Sequence, residues 1–230
     1  MSDHRQIAAN LARVRAAIAQ AETQAGRPHG SVRLLAVSKT KSISDIRAAL
    51  AVGQHDFGEN YLQEALAKIE QLKGEKIRWH FIGSIQSNKA RDIAARFDWL
   101  HSLASLSIAE RINRLRPEAL SPLNVCIQIN IDQEQSKSGC RPEQAYILAD
   151  EIARLPRLKL RGLMAIPKPS ADPQQQYKTF TELHTLFEQM QARHTNFDTL
   201  SAGMSGDFEQ AIKAGATLIR IGTAIFGIRR

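Results

Sequence analysis

Cysteine is scarce in this chain: its 230 residues include two, Cys126 and Cys140, and they form no CxxC pair. That excludes a disulfide framework and fits a reducing, cytoplasmic setting, with each thiol read as a small core residue. HxH, HExxH and clustered Cys/His spacings are missing too, so no metal site is expected. Aromatic residues make up 6% and do not interleave with basic ones, which removes the stacking platform that single-strand binding uses. No apolar run approaches the ~20 residues that cross a bilayer. Met1–Arg5 lacks a basic region followed by an apolar stretch, so no secretory leader is expected.

What is present is the composition of an ordinary folded protein, 43% hydrophobic and 23% charged, long enough for one domain over residues 1–230. The formal charge of +8 comes from 31 Lys and Arg against 23 Asp and Glu. These basic residues are scattered, and they read as solvated surface rather than as a nucleic-acid or membrane footprint.

Ile7, Leu11, Val14, Ile18 and Ala21 recur at spacings of three and four, which predicts an opening amphipathic helix ended by Gly26 and Pro28. Leu34–Val37 follows as a short apolar run suited to a strand buried on both faces. Ser42 or Ser44 is placed to cap the next helix, which carries Ile46, Ala49 and Leu50. Further strands are expected near His55–Gly58, Arg78–Gly83, Trp99–Ser102, Val125–Asn130, Leu160–Ala165, Thr199–Ala202 and Leu218–Ile221. Helical patterns separate them, including Leu62–Leu72, Ile108–Leu115, Ala145–Leu155 and Tyr177–Met190, the last with a core stripe of Tyr177, Phe180, Leu183, Phe187 and Met190. Strands alternating with helices imply parallel pairing and right-handed crossovers. The predicted fold is α/β, a single-domain (β/α)8 barrel with an extra N-terminal helix. An open doubly wound sheet is the alternative, because strand count does not prove closure.

In such barrels ligands bind at the C-terminal ends of the strands. Lys39 follows the first strand directly and shares its parity with Leu35 and Val37. Apolar neighbours disfavour a lysine's charged form, and a neutral amine is what carbonyl attack requires. A solvated or salt-bridged lysine is the plainer reading of the same position. Ser201–Asp207 (SAGMSGD) follows the seventh strand and Arg220-Ile221-Gly222-Thr223 ends the eighth, where barrels commonly hold phosphate on backbone N–H groups. Asn60, after the second strand, suits either a helix cap or a ligand contact. His80, within the third strand, suits either a satisfied core position or the ligand's surroundings.

Together, Ala36–Thr40 (AVSKT), Phe57–Glu64 (FGENYLQE), Trp79–Lys89 (WHFIGSIQSNK), Gly162–Pro167 (GLMAIP) and Leu200–Gly227 resemble the pyridoxal phosphate homeostasis proteins. That group is similar to the N-terminal barrel of alanine racemase, and the resemblance runs over nearly the whole chain. Ala202 stands where many members carry methionine, and Cys140 where a larger apolar residue is common. The resemblance implies that Lys39 forms an aldimine with pyridoxal 5′-phosphate. It further implies that Ser201, Ser205, Gly222 and Thr223 hold the phosphate, that Arg220 meets the pyridine nitrogen, and that Asn60 and His80 line the ring.

A carrier that buffers the cofactor is the function this implies, with pyridoxal phosphate and pyridoxal-phosphate-dependent apoenzymes as its partners. The alternative is an amino-acid racemase acting by proton abstraction at Cα, which needs a second acid/base opposite the lysine. In the racemases a C-terminal β-domain completes the site, and no such domain is expected here, which also favours a monomer. His80 or Tyr61 would have to substitute. A barrel binding another phosphate ester, with Lys39 as a charge only, is a more distant reading.

Overall fold

The computed structural model describes residues 4–134 and 138–227, so the reading of the first three residues and of the last lies outside them. The strands are β1 (Arg33–Val37), β2 (Asp56–Glu59), β3 (Arg78–Phe81), β4 (Trp99–Leu103), β5 (Leu123–Ile129), β6 (Leu158–Ala165), β7 (Thr199–Ser201) and β8 (Leu218–Ile221). They pair in parallel in chain order, and β1 closes on β8, so the barrel is shut and the open-sheet alternative is excluded. The helices are α1 (His4–Gln24), α2 (Ile43–Leu50), α3 (Leu62–Gln71), α4 (Ala90–Arg96), α5 (Leu106–Leu115), α6 (Pro142–Ala153), α7 (Pro173–Gln191), α8 (Phe208–Lys213) and α9 (Thr223–Phe226). Among the described residues no helix is long and apolar enough to cross a membrane.

Local chemistry explains where these elements start and stop. Ser42, not Ser44, caps α2: its hydroxyl accepts from the Asp45 amide at 3.1 Å, while Asp45 accepts from the Ser42 amide. Ser44 instead hydrogen-bonds His4 Nε2 at 2.6 Å. Helix α7 begins with Asp172 accepting from the Gln174 amide and Pro173 in the first turn. Helix α1 ends before Gly26, whose φ of 67° is a left-handed conformation suited to glycine. The α1 residue Glu22 is buried and takes hydrogen bonds from the Gly30 amide, the Ser31 hydroxyl and the Val32 amide, which fixes the turn into β1.

Two cores follow from strand alternation. The outer one lies between barrel and helices and holds Ala36, Phe57, Phe81, Leu100, Val125, Ile127, Leu163, Leu200, Ile219 and Ile221. The predicted stripe of α7 packs there through Phe180, Leu183, Phe187 and Met190. Tyr177, expected in that stripe, is 37% exposed with the Lys213 ammonium over its ring. The barrel interior differs in kind: its apolar cluster is Trp99, Cys126 and Met164, and its other buried members include His80, His101, Ser201 and Arg220. Barrel interiors are usually filled by branched aliphatics. This one is built from groups that must satisfy hydrogen bonds.

Candidate functional site

The C-terminal end of β1 is held by a buried ionic cluster. Ser38 continues the strand, its amide donating to Gly58 O at 3.0 Å. Its hydroxyl donates to Glu59 Oε1 at 2.6 Å, and Lys68 Nζ donates to Ser38 O, Glu59 Oε1 and Glu64 Oε1 at 2.6–2.7 Å. Glu64 also accepts from the Thr40 amide at 2.6 Å, where the backbone turns left-handed (φ 64°). Lys39, half-buried, is thus flanked on both sides by residues tied to α3. Burial pushes the Glu59 carboxyl above the usual carboxylate range, against the pull of Lys68. Glu59 Oε2 and Asn60 Oδ1 are buried without a hydrogen-bond partner. Such orphaned acceptors are costly, and these two lie at the end of the strand paired with β1.

Asn60 does not cap α3. That position belongs to Tyr61, which makes no side-chain cap. The backbone of Asn60 is instead pressed against Gly83, where an added Cβ would lie 2.1 Å from Asn60 O.

Across the β1–β8 seam, Arg220 stands beside Leu35, two side-chain layers below Lys39. It is 4% exposed; Nη1 donates to Ser201 O at 2.7 Å and to Ser201 Oγ at 2.9 Å, and Nη2 donates to Ala165 O at 2.9 Å. All of these acceptors are neutral. Burial lowers the Arg220 pKa to about 10, with Asp207 opposing the shift. From Ser201 a chain of contacts continues down the barrel axis. His101 Nδ1 meets Ser201 Oγ at 2.9 Å, His101 Nε2 meets His80 Nδ1 at 2.9 Å, and His80 Nε2 meets Asp56 Oδ1 at 3.0 Å. Arg78 forks onto Asp56 from outside at 2.6 Å.

The loops after β7 and β8 form the far side of the mouth. Gly203 (φ 94°) packs so closely that a Cβ would meet Ala211 Cβ at 2.7 Å, and a Cβ on Gly222 would lie 3.1 Å from Val37 O. Asp207 accepts from the Met204 amide at 2.6 Å and pins the loop, leaving Ser205 and Thr223 exposed. A cavity of about 320 Å³ runs alongside, lined by Ser170, Gln176, Ser205, Gly206 and Asp207 among others. A larger one of about 390 Å³ lies at the opposite, N-terminal end and contains none of the predicted site residues.

The structure therefore brings Lys39, Asn60, Ser205, Arg220, Gly222 and Thr223 to one end of the barrel. It sets Ser201 and His80 apart: both are 0% exposed, and the Ser201 hydroxyl is committed to Arg220 and His101. Reading single motifs missed His101 and Asp56, although His101 lies two residues after Trp99 and so shares its inward parity. It also missed the Glu59, Lys68 and Glu64 cluster, of which the i,i+4 pair Glu64 and Lys68 was the visible trace. Both thiols are buried, and burial raises them, Cys126 to about 12 and Cys140 to about 11, which makes them inert packing groups.

Comparison with known proteins agrees with this architecture. Over residues 4–230 the chain matches the family described as "Alanine racemase, N-terminal domain". A pyridoxal phosphate homeostasis protein from Pseudomonas aeruginosa is 52% identical over 97% of this chain and 96% of its own. The protein of that name from Escherichia coli is 50% identical over 97% of both chains. The solved structure of PipY from Synechococcus elongatus with PLP bound superposes with a TM-score of 0.83 at 34% identity, covering 96% of this chain and 100% of that one. With near-complete coverage on both sides, the chain belongs to the pyridoxal phosphate homeostasis protein family, built on the alanine racemase N-terminal fold.

Proposed function

We propose that this protein binds pyridoxal 5′-phosphate covalently through Lys39 and carries it, without turning over a substrate, for delivery to pyridoxal-phosphate-dependent apoenzymes. The observation that carries the reading is Arg220: a buried cation whose hydrogen bonds go only to neutral acceptors, across the seam from Lys39. A buried charge of this kind is stabilised by an electron-rich partner. The residues present fit the cofactor: a half-buried amine at Lys39, a buried donor at Arg220, and the exposed hydroxyls of Ser205 and Thr223 beside Gly222 for the phosphate. When bound, the cofactor supplies a reactive aldehyde and an electron-accepting ring.

Each residue has a definable task in this reading. Lys39 offers its amine from a rim tied down by Glu59, Glu64 and Lys68. Gly222, Thr223 and Ser205 bind phosphate oxygens at the open side of the mouth. Ser201 acts beneath, on Arg220. Arg220 donates to the ring nitrogen and, holding no lone pair, disfavours its protonation. An arginine there suits a carrier and equally a racemase that avoids long-lived carbanion character. His80, one of the two in-barrel candidates for a racemase's second base, has both ring nitrogens engaged and is wholly buried.

An absorption spectrum before and after borohydride, followed by peptide mapping, tests the assignment. The expected result is a reducible chromophore with the tag on Lys39. A protein that stays colourless with added pyridoxal phosphate refutes it.

A further inference from the structure

We propose that His101 and His80 are positioning residues for the cofactor pocket, forming a hydrogen-bond chain of fixed polarity that runs from Arg220 to Asp56 and holds the Arg220 guanidinium in place. The proposal rests on the reading that Arg220 faces the cofactor ring.

The polarity follows from both ends. Arginine only donates, so Ser201 Oγ accepts from Arg220 Nη1 at 2.9 Å. Asp56, kept ionised by the hydrogen bonds of Arg78 and His80, only accepts, so His80 Nε2 carries the proton across the 3.0 Å contact. A neutral His80 then accepts at Nδ1, and His101 Nε2 is the donor at 2.9 Å. A neutral His101 accepts at Nδ1, and the Ser201 hydroxyl supplies that proton at 2.9 Å. Every donor has one acceptor, and both imidazoles are Nε2–H tautomers. The opposite arrangement makes His101 donate to Ser201 and forces His80 to donate from both nitrogens, as a cation. Both rings are 0% exposed, and burial disfavours charge on each. Arg33 adds repulsion to both and Arg220 to His101, against the attraction of Asp56 for both and of Asp98 for His80, and burial outweighs them.

Stacking supports the same geometry. His80 stacks on Trp99 with centroids 5.3 Å apart and 7° between planes, which favours the plane in which the imidazole meets Asp56 and His101. With its proton committed to His101, Ser201 turns a lone pair towards Arg220. The guanidinium is then forked between Ser201 O and Oγ and anchored on Ala165 O. Aligned bonds polarise one another, and the chain ends on a cation at one side and a carboxylate at the other.

The test uses the full chain as wild type, His101→Gln and His101→Leu. A glutamine side chain reproduces the polarity, its oxygen accepting from Ser201 and its amide donating to His80. A leucine keeps the volume and breaks the chain. In the cofactor-free wild type, imidazole ¹⁵N resonances should report Nε2–H tautomers at both histidines. With pyridoxal 5′-phosphate, His101→Gln should bind within ~3-fold of wild type with an unchanged absorption band. His101→Leu should bind ~10-fold or more weakly with a shifted band. An Nδ1–H tautomer or an imidazolium at either position overturns the proposal without needing any variant to fold. A folded His101→Leu that binds like wild type, or a folded His101→Gln as weak as His101→Leu, overturns the positioning role and leaves the cofactor reading standing. A wild type with no affinity for pyridoxal phosphate overturns both.

Discussion

At the N-terminal end of the barrel Arg78 forks onto Asp56, Arg161 forks onto Asp198 and bonds Asn124, and the guanidiniums of Arg33 and Arg161 lie against Trp99 at 5.0 and 4.8 Å. At the C-terminal end Arg220 has only carbonyl and hydroxyl acceptors, and two buried oxygens have no partner. One chain has thus used arginine in two ways. Where Arg78 and Arg161 meet carboxylates and Arg33 meets the Thr199 hydroxyl and the face of Trp99, the end is finished and serves stability. Where a buried charge has only neutral acceptors and two buried oxygens have no partner, polar groups are left in excess of what the fold itself satisfies.

The contrast breaks first, and most completely, at Lys39. Lys39→Ala should abolish covalent attachment of pyridoxal phosphate while the cofactor-free melting temperature stays near wild type. A variant that still yields a borohydride-reducible band would move the site elsewhere. Next, Arg220→Ala should weaken binding by ~10-fold or more and alter the chromophore's spectrum. Unchanged affinity and spectrum would remove Arg220 from the ring. The opposite end should respond in the opposite way. Arg161→Ala, which loses Asp198, Asn124 and the face of Trp99, should cost ~2 kcal/mol of unfolding free energy by denaturant titration, with affinity for pyridoxal phosphate preserved. A loss of affinity in a folded variant would show that the two ends are not separable.

The smallest effect is a pH dependence. His80 and His101 both have folded pKa values below the ordinary one, so the unfolded chain takes up protons first as pH falls through ~6.5. Stability should therefore decline below that pH and plateau above it. His80, Arg33 and Arg220 reinforce the shift of His101, and Asp56 opposes it. Replacing His101 by Gln should flatten the decline of melting temperature between pH 7 and pH 5. An equal slope in both proteins would mean that His101 is not held neutral.

How much of this was readable beforehand depends on scale. The alternation of short apolar runs with amphipathic segments was enough for a parallel α/β fold, because strands buried on both faces leave a strong signal in one dimension. The choice of a closed barrel over an open sheet was decided by the pairing of β1 with β8. Helices α4 and α8, of seven and six residues, are under two turns and too short for periodicity to mark. That Lys39, Arg220, Gly222 and Thr223 come to one end of the barrel was legible, because strand ends in a barrel converge. The partners of Ser201 were not. His101 lies 100 residues from Ser201, and Asp56 lies 24 from His80. No local spacing encodes such contacts, and only the closure of β1 on β8 brings these strands around one axis.

The latch at Glu22 bears on how the chain comes to be folded at all. Helix α1 packs on α2, α8 and α9, and Asn10 donates to Ile225 O at 2.8 Å, so the first helix straddles the seam where the first and last strands meet. During synthesis β1 must wait for β8, a loop closure spanning nearly the whole chain, and such contacts form late. Until then α1 has only α2 to pack on and one edge of β1 has no mate. Folding should consequently be slow and finish at the seam, and the nascent chain's greatest exposure to aggregation or chaperone capture falls just before its last strand emerges.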